Sequence, residues 1–428
     1  MNINKHLKFD LQKHKLENGL DVVLYRDTSN PLVCVNLLYK TGSVNDPAGK
    51  TGTAHLFEHM MFQGSVNVEK GKHFYHIQQA GGSANAATSY ETTVYHEKLP
   101  AEYLETALWL ESDRMGYFLP ALTEEKLQNQ IEVVKNERLE RTDNAPYGTS
   151  WENLMDLVFG PEHPYGHPII GHMDHIGQIN LDDIRSFFGE YYNPGNASLV
   201  IAGNFEYDAA LKMVNNYFGE FSGYPVRDKH EYVPLTPLKH IRHRMVEDKI
   251  ELVKVTLAFP TTNFFTADEA RINMLNELLN EGKNSILKRE LVYNKQIAVG
   301  VSSYHFCSKY GGIMVVTAFV TPGVKWQAVR DEIVSIMRSL KNYEFTPEEI
   351  EKSRNRLISD FLYPLEQLAG LSQIFNYYNY YLDNPDSVEY DLKRYLEVKD
   401  EDMREMGKKY FSDAYAELIY VPKGGTNA

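Results

Sequence analysis

At 428 residues, with a formal charge of −14, 43% hydrophobic and 24% charged residues, the chain has a globular composition and exceeds one ordinary core, so two or three domains are expected. The acidic balance excludes nucleic-acid binding through phosphate neutralisation, and no basic stripe interrupts it. No apolar run approaches the roughly 20 residues that a membrane-spanning helix requires, so no membrane span is expected.

The opening run MNINKHLKFDLQKHKLENG alternates charge and apolarity and lacks the apolar core of a secretory signal. The expected compartment is cytoplasmic, or periplasmic if a leader has been trimmed. Cys34 sits in the strand-like run LVCVNLLY and Cys307, far away, in VSSYHFCSKY; small buried thiols suit both places better than a disulfide. The segment AGKTGT (48–53) ends like a phosphate loop, but Val44 stands where that motif needs its first Gly.

In TAHLFEHMMF, His55, Glu58 and His59 stand at i, i+3 and i+4 and project from one face of a helix. Two imidazoles one turn apart suit a single zinc ion, and a catalytic zinc takes three protein ligands and keeps one position for water. Ala54, Leu56, Phe57, Met60, Met61 and Phe62 make the helix too apolar for a solvated surface. Its polar face must therefore be satisfied, since burying such groups unpaired costs several kcal/mol each. His73 and His76, at i, i+3, have no evident carboxylate partner and are read as structural.

The third ligand is expected from LTEEKLQNQIEVVKNERLER. Leu127, Ile131 and Val134 mark an apolar stripe there, and Glu137 falls on its flank. Thr123 with Glu124 and Glu125 reads as the start of that helix, as Thr346-Pro347-Glu348-Glu349 does for a later one. His163, His167, His172 and His175 follow among Pro and Gly in PEHPYGHPIIGHMDH and read as loop histidines. The aromatic run FNYYNYYL (375–382) reads as a helix packed between elements.

Laid on itself at an offset of about 218 residues, the chain agrees with itself repeatedly. VCVNLLYKTGS answers VKVTLAFPTTN, AHLFEHMMFQG answers INMLNELLNEG, and YYNPGNASLVIAGN answers YFSDAYAELIYVPK. The expected fold class is α+β: two homologous α/β-sandwich domains from an internal duplication, 1–223 and 241–428, with the Pro-rich and charged stretch 224–240 as linker. Asn273, Asn276 and Glu277 replace His55, Glu58 and His59 in the second copy, so one metal site per chain is expected.

These motifs resemble the pitrilysin or insulinase family (M16), in particular its short two-domain members, which include the mitochondrial processing peptidase β subunit and bacterial peptidases. The likeness rests on His55-x-x-Glu58-His59, on Glu137 in VVKNE 78 positions further on (137 − 59), on GGSANAATSYETTVY (81–95) and on HPYGHPIIG (163–171). It implies zinc on His55, His59 and Glu137, Glu58 as general base, and an endopeptidase acting on unfolded peptides or presequence-like segments. It also implies that a peptide substrate adds as a strand beside Ser83, Ala84, Asn85, Ala86 and Ala87. Gln130 stands where some relatives carry a Glu that supports the site. Val292 and Val299 stand where self-sufficient members carry an Arg and a Tyr. That departure implies a homologous partner chain supplying the pair in a heterodimer, with a homodimer as the alternative. The rival reading is a non-catalytic core subunit of a larger complex.

Overall fold

The computed structural model describes residues 7–230, 238–411 and 413–424. Part of the expected linker, 231–237, lies outside the described residues. One sheet is built from β1 (Leu11–Lys15), β2 (Asp21–Arg26), β3 (Leu32–Tyr39), β4 (Ser83–Thr88), β5 (Thr93–Pro100) and β6 (Ala197–Gly203), and runs β1-β2-β6-β3-β5-β4. A second is built from β7 (Arg242–Asp248), β8 (Lys254–Pro260), β9 (Ala298–Ser308), β10 (Gly311–Val320) and β11 (Ala416–Pro422), and runs β7-β11-β8-β10-β9.

The orders correspond strand for strand once β1 is set aside. In each sheet a parallel pair, β2 with β6 or β7 with β11, leads into an antiparallel run. The three matched segments fall at the same places in both: β3 with β8, β6 with β11, and the helix after each of the first pair. The expected α+β duplication is what the structure contains.

The helices are α1 (Thr53–Met60), α2 (Lys72–Gln79), α3 (Leu104–Tyr117), α4 (Glu124–Arg138), α5 (Ser150–Phe159), α6 (Met173–Ile176), α7 (Leu181–Tyr191) and α8 (Tyr207–Phe218). They continue with α9 (Ala267–Asn280), α10 (Trp326–Ser339), α11 (Pro347–Leu362), α12 (Leu368–Leu382), α13 (Val388–Leu396) and α14 (Asp400–Tyr410). The anticipated caps are present. Lys126 N donates to Thr123 Oγ1, and Thr346 and Glu349 exchange reciprocal bonds of 3.2 and 2.9 Å at the start of α11, satisfying amides that a helix end leaves open. No helix among the described residues is long and apolar enough to cross a membrane.

A single cut near 224–240 does not describe how the chain packs. One compact unit takes Met1–Arg138, His167–Asp228 and Leu362–Glu389; the other takes Leu139–Gly166, Lys229–Phe361 and Tyr390–Ala428. Each sheet has two faces to bury, and in each unit the helix on the second face comes from the other half of the sequence. α12 lies on β3 and β6. There Asn376 Nδ2 donates to Asn36 Oδ1 (2.7 Å) and Ser198 O (3.0 Å), and Asn379 Nδ2 to Ser198 Oγ (2.8 Å). Those bonds answer polar groups that would otherwise be stranded in the sheet, which fixes which helix belongs there. In the other unit α5 takes this place: Arg244 of β7 bonds Asn153 Oδ1 and Asp156. Cys34 and Cys307 are buried thiols, Cys34 Sγ lying 3.2 Å from Ser372 Oγ and Cys307 Sγ donating to Thr262 O at 3.1 Å.

Candidate metal centre

α1 is placed by its apolar residues. Ala54, Leu56, Phe57 and Met60 are buried in the first core, where Phe57 packs among Phe118, Phe187 and Tyr192. The opposite face is left for His55, Glu58 and His59. α4 lies against α1 and buries Leu127, Ile131 and Val134. One turn beyond Val134, Glu137 is thereby turned toward α1.

The ligand atoms of His55, His59 and Glu137 all lie within 4.8 Å of one another. Glu137 Oε2 is 3.5 Å from His59 Nε2 and 3.9 Å from His55 Nε2. Donors held at about 2.0–2.1 Å around a tetrahedral zinc lie roughly 3.4 Å apart, so two imidazole nitrogens and one carboxylate oxygen at these separations fit that ion. The side chains are 14%, 24% and 17% exposed. The three side chains are thus partly open to solvent rather than buried.

Glu58 precedes His59 on the same helix and lies close enough to His59 and Glu137 to sense their charges. Burial pushes its carboxyl above the ordinary Glu range, opposed by the hydroxyl of Thr88, which donates to Glu58 Oε2 at 2.5 Å. Thr88 ends β4, and sequence reasoning stopped one residue short of it. Its signal was present in the alternation of SANAAT, whose second, fourth and sixth residues share the inward side. Ser83 to Ala87 form the rest of β4, the edge strand, which among the described residues pairs only with β5; Ser83, Asn85 and Ala87 are exposed. Gln130 is buried and donates to Asn129 Oδ1 on its own helix.

A second trio, His73, Glu97 and Glu111, also brings three possible ligand atoms within 4.8 Å. His73 therefore does have carboxylate partners, which its sequence neighbours could not reveal: Glu97 comes from β5 and Glu111 from α3. This cluster already holds its cation. Arg114 Nε donates to Glu111 Oε2 at 2.8 Å while its second nitrogen binds Oε1, and its guanidinium lies 3.9 Å from the Tyr95 ring centre. Burial, and then the Arg114 charge, push the His73 imidazole down to about 3, and burial pushes Glu111 up to about 8. A divalent ion there would add charge to a site that Arg114 balances.

The family model described as insulinase (peptidase family M16) matches residues 21–160, and the one described as the peptidase M16 inactive domain matches residues 178–357. The chain belongs to the insulinase family, M16. Among its relatives, zinc protease PqqE of Helicobacter pylori is 29% identical over 97% of this chain and 94% of that protein. An uncharacterized zinc protease of Rickettsia bellii is 26% identical over 97% and 98%. The crystal structure of a protease from Helicobacter pylori superposes with a TM-score of 0.89 at 28% identity, over 97% of this chain and 100% of that one.

The second copy of this M16 chain has kept the framework and changed the groups. Asn273 Oδ1 lies 2.6 Å from His305 Nδ1 on β9, whose Nε2 lies 2.9 Å from Thr261 Oγ1, and Ser303 Oγ donates to Asn276 Oδ1 at 2.7 Å. Burial pushes the His305 imidazole down to about 3. The unfolded chain binds that proton near pH 6.5 and the folded chain does not. Stability from this group is therefore complete above pH 6.5 and falls by about 1.4 kcal/mol per pH unit as pH drops toward the folded value. Denaturant unfolding measured between pH 7 and pH 4.5 should show that slope reduced in His305→Gln; an unchanged slope would remove His305 as its source.

Proposed function

We propose that this chain is a zinc-dependent endopeptidase that hydrolyses unfolded peptides or presequence-like segments, working as the metal-bearing partner of a two-chain enzyme. One observation carries it: Nε2 of His55, Nε2 of His59 and Oε2 of Glu137 converge from two helices, with Glu58 on the same helix as the histidines and beside His59 and Glu137. The names of the relatives, zinc proteases, support the same reading.

His55, His59 and Glu137 would hold the ion. Zinc, when bound, supplies a Lewis acid that polarises the scissile carbonyl and brings a water's pKa toward about 7. Glu58 takes the proton of the attacking water and passes it to the leaving amine, and burial raises its basicity for that task. Thr88 holds Oε2 of Glu58, which leaves Oε1 to receive the proton. A peptide adds as a further strand on the free edge of β4, by backbone bonds that make selectivity loose. Since Thr88 ends that strand, substrate and general base share one support.

The two-chain part rests on the second copy. Val292 packs against the second core and Val299 is exposed at the start of β9, so neither offers a polar group to a substrate carbonyl. The test is cleavage of a quenched, unstructured peptide by zinc-loaded protein, alone and after chelation, with chromatography of the native material. Zinc-dependent cleavage that needs a co-purifying second polypeptide is the expected result. Full activity from a homodimer would overturn the two-chain part, and zinc-loaded protein without activity in any assembly would favour the core-subunit reading.

A further inference from the structure

The N-terminus of α1 has no cap of its own, because the residue before it is Gly52, at φ 91°. Asp46 supplies the cap from upstream: Gly52 N donates to its Oδ2 at 2.7 Å and Ala54 N to its Oδ1 at 2.8 Å. Ala54 is the immediate neighbour of His55, so the cap acts on the turn that carries the first ligand. A bound carboxylate of this kind satisfies open amides and suits the positive end of the helix.

Asp46 is itself held. His167 Nε2 lies 2.9 Å from the Ser43 carbonyl and 3.4 Å from Asp46 Oδ2. A carbonyl can only accept, so Nε2 carries the proton and faces both oxygens. Four residues on, Gly171 presses against the turn that leads into α1: a Cβ at Gly52 would meet Ile170 O at 2.5 Å, and one at Gly171 would meet Thr51 O at 2.2 Å. Gly171 O accepts 2.7 Å from Arg138 Nη1, and Arg138 follows Glu137 on α4. One short loop is therefore tied to the turn before His55 and to the residue after Glu137.

We propose that His167 to Gly171, through Asp46 at one end and Arg138 at the other, is a brace that sets the spacing between the two ligand-bearing helices, with His167 and Asp46 as positioning residues. This rests on the zinc reading above.

The test compares Asp46→Ala, His167→Ala and His167→Gln, the last keeping a donor near the place of Nε2. Zinc affinity, by competition with a chelator, should fall about 10–100-fold in the two Ala variants, the range found when groups orienting metal ligands are removed, and stay near wild type in His167→Gln. In zinc-free protein, amide exchange in a peptide covering 52–59 should speed up in the Ala variants only. Ala variants that bind zinc and exchange like wild type would overturn the brace, as would equal losses in His167→Gln and His167→Ala. Should Asp46→Ala fail to fold, the His167 pair decides. A wild type that takes up no zinc would remove the metal reading, while the exchange comparison would still judge the brace.

Discussion

Glu58→Gln is expected to keep its zinc and lose peptide cleavage by about 10²–10⁴-fold, the usual contribution of a positioned general base. The amide has the shape of the carboxylate and its oxygen still accepts the Thr88 hydroxyl now bound to Oε2, so α1 and its ligands should not move. What disappears is the capacity to accept a proton from water and deliver it to the amine. Cleavage rate and zinc content, measured on the same preparation, check this. A variant with a wild-type rate would strip Glu58 of its role, and one that lost its zinc would make Glu58 a support of the metal instead.

Glu137→Ala should give the opposite pattern, with metal and activity lost together. Structural zinc sites in peptides yield about 10–16 kcal/mol over four ligands, or about 3 kcal/mol for each, so one missing ligand weakens affinity on the order of 100-fold or more. The remaining histidines stand one turn apart on α1 and, among the three candidate ligands, the only carboxylate comes from α4. Equilibrium zinc titration of both variants, beside far-ultraviolet circular dichroism to confirm folding, distinguishes ligand from base. Undiminished affinity in folded Glu137→Ala would mean that α4 does not contribute to the centre.

The His-x-x-Glu-His set was legible because helical geometry alone brings i, i+3 and i+4 together, and Glu137 because the stripe of Leu127, Ile131 and Val134 fixes the rotation of its helix. Thr88 was missed by one position in a strand whose alternation could have shown it. His167 was read only as a loop residue, since its partner Asp46 lies more than a hundred positions away and no local period connects them. The carboxylates around His73 were out of reach for the same reason: β5 and α3 meet α2 only when the sheet is covered.

What the sequence by itself determined is whatever depends on the backbone repeating at fixed steps: the duplicated order of strands and helices, the shared face of His55, Glu58 and His59 on α1, the caps of α4 and α11, and the replacement of those three residues by Asn273, Asn276 and Glu277 in the second copy. Only the tertiary structure decided which helix covers which sheet, that α12 joins the first unit and α5 the second, and that one loop ties the turn before His55 to the residue after Glu137. Those outcomes depend on buried amides, carboxylates and arginines finding partners, a condition met in space between distant residues and written in no local pattern.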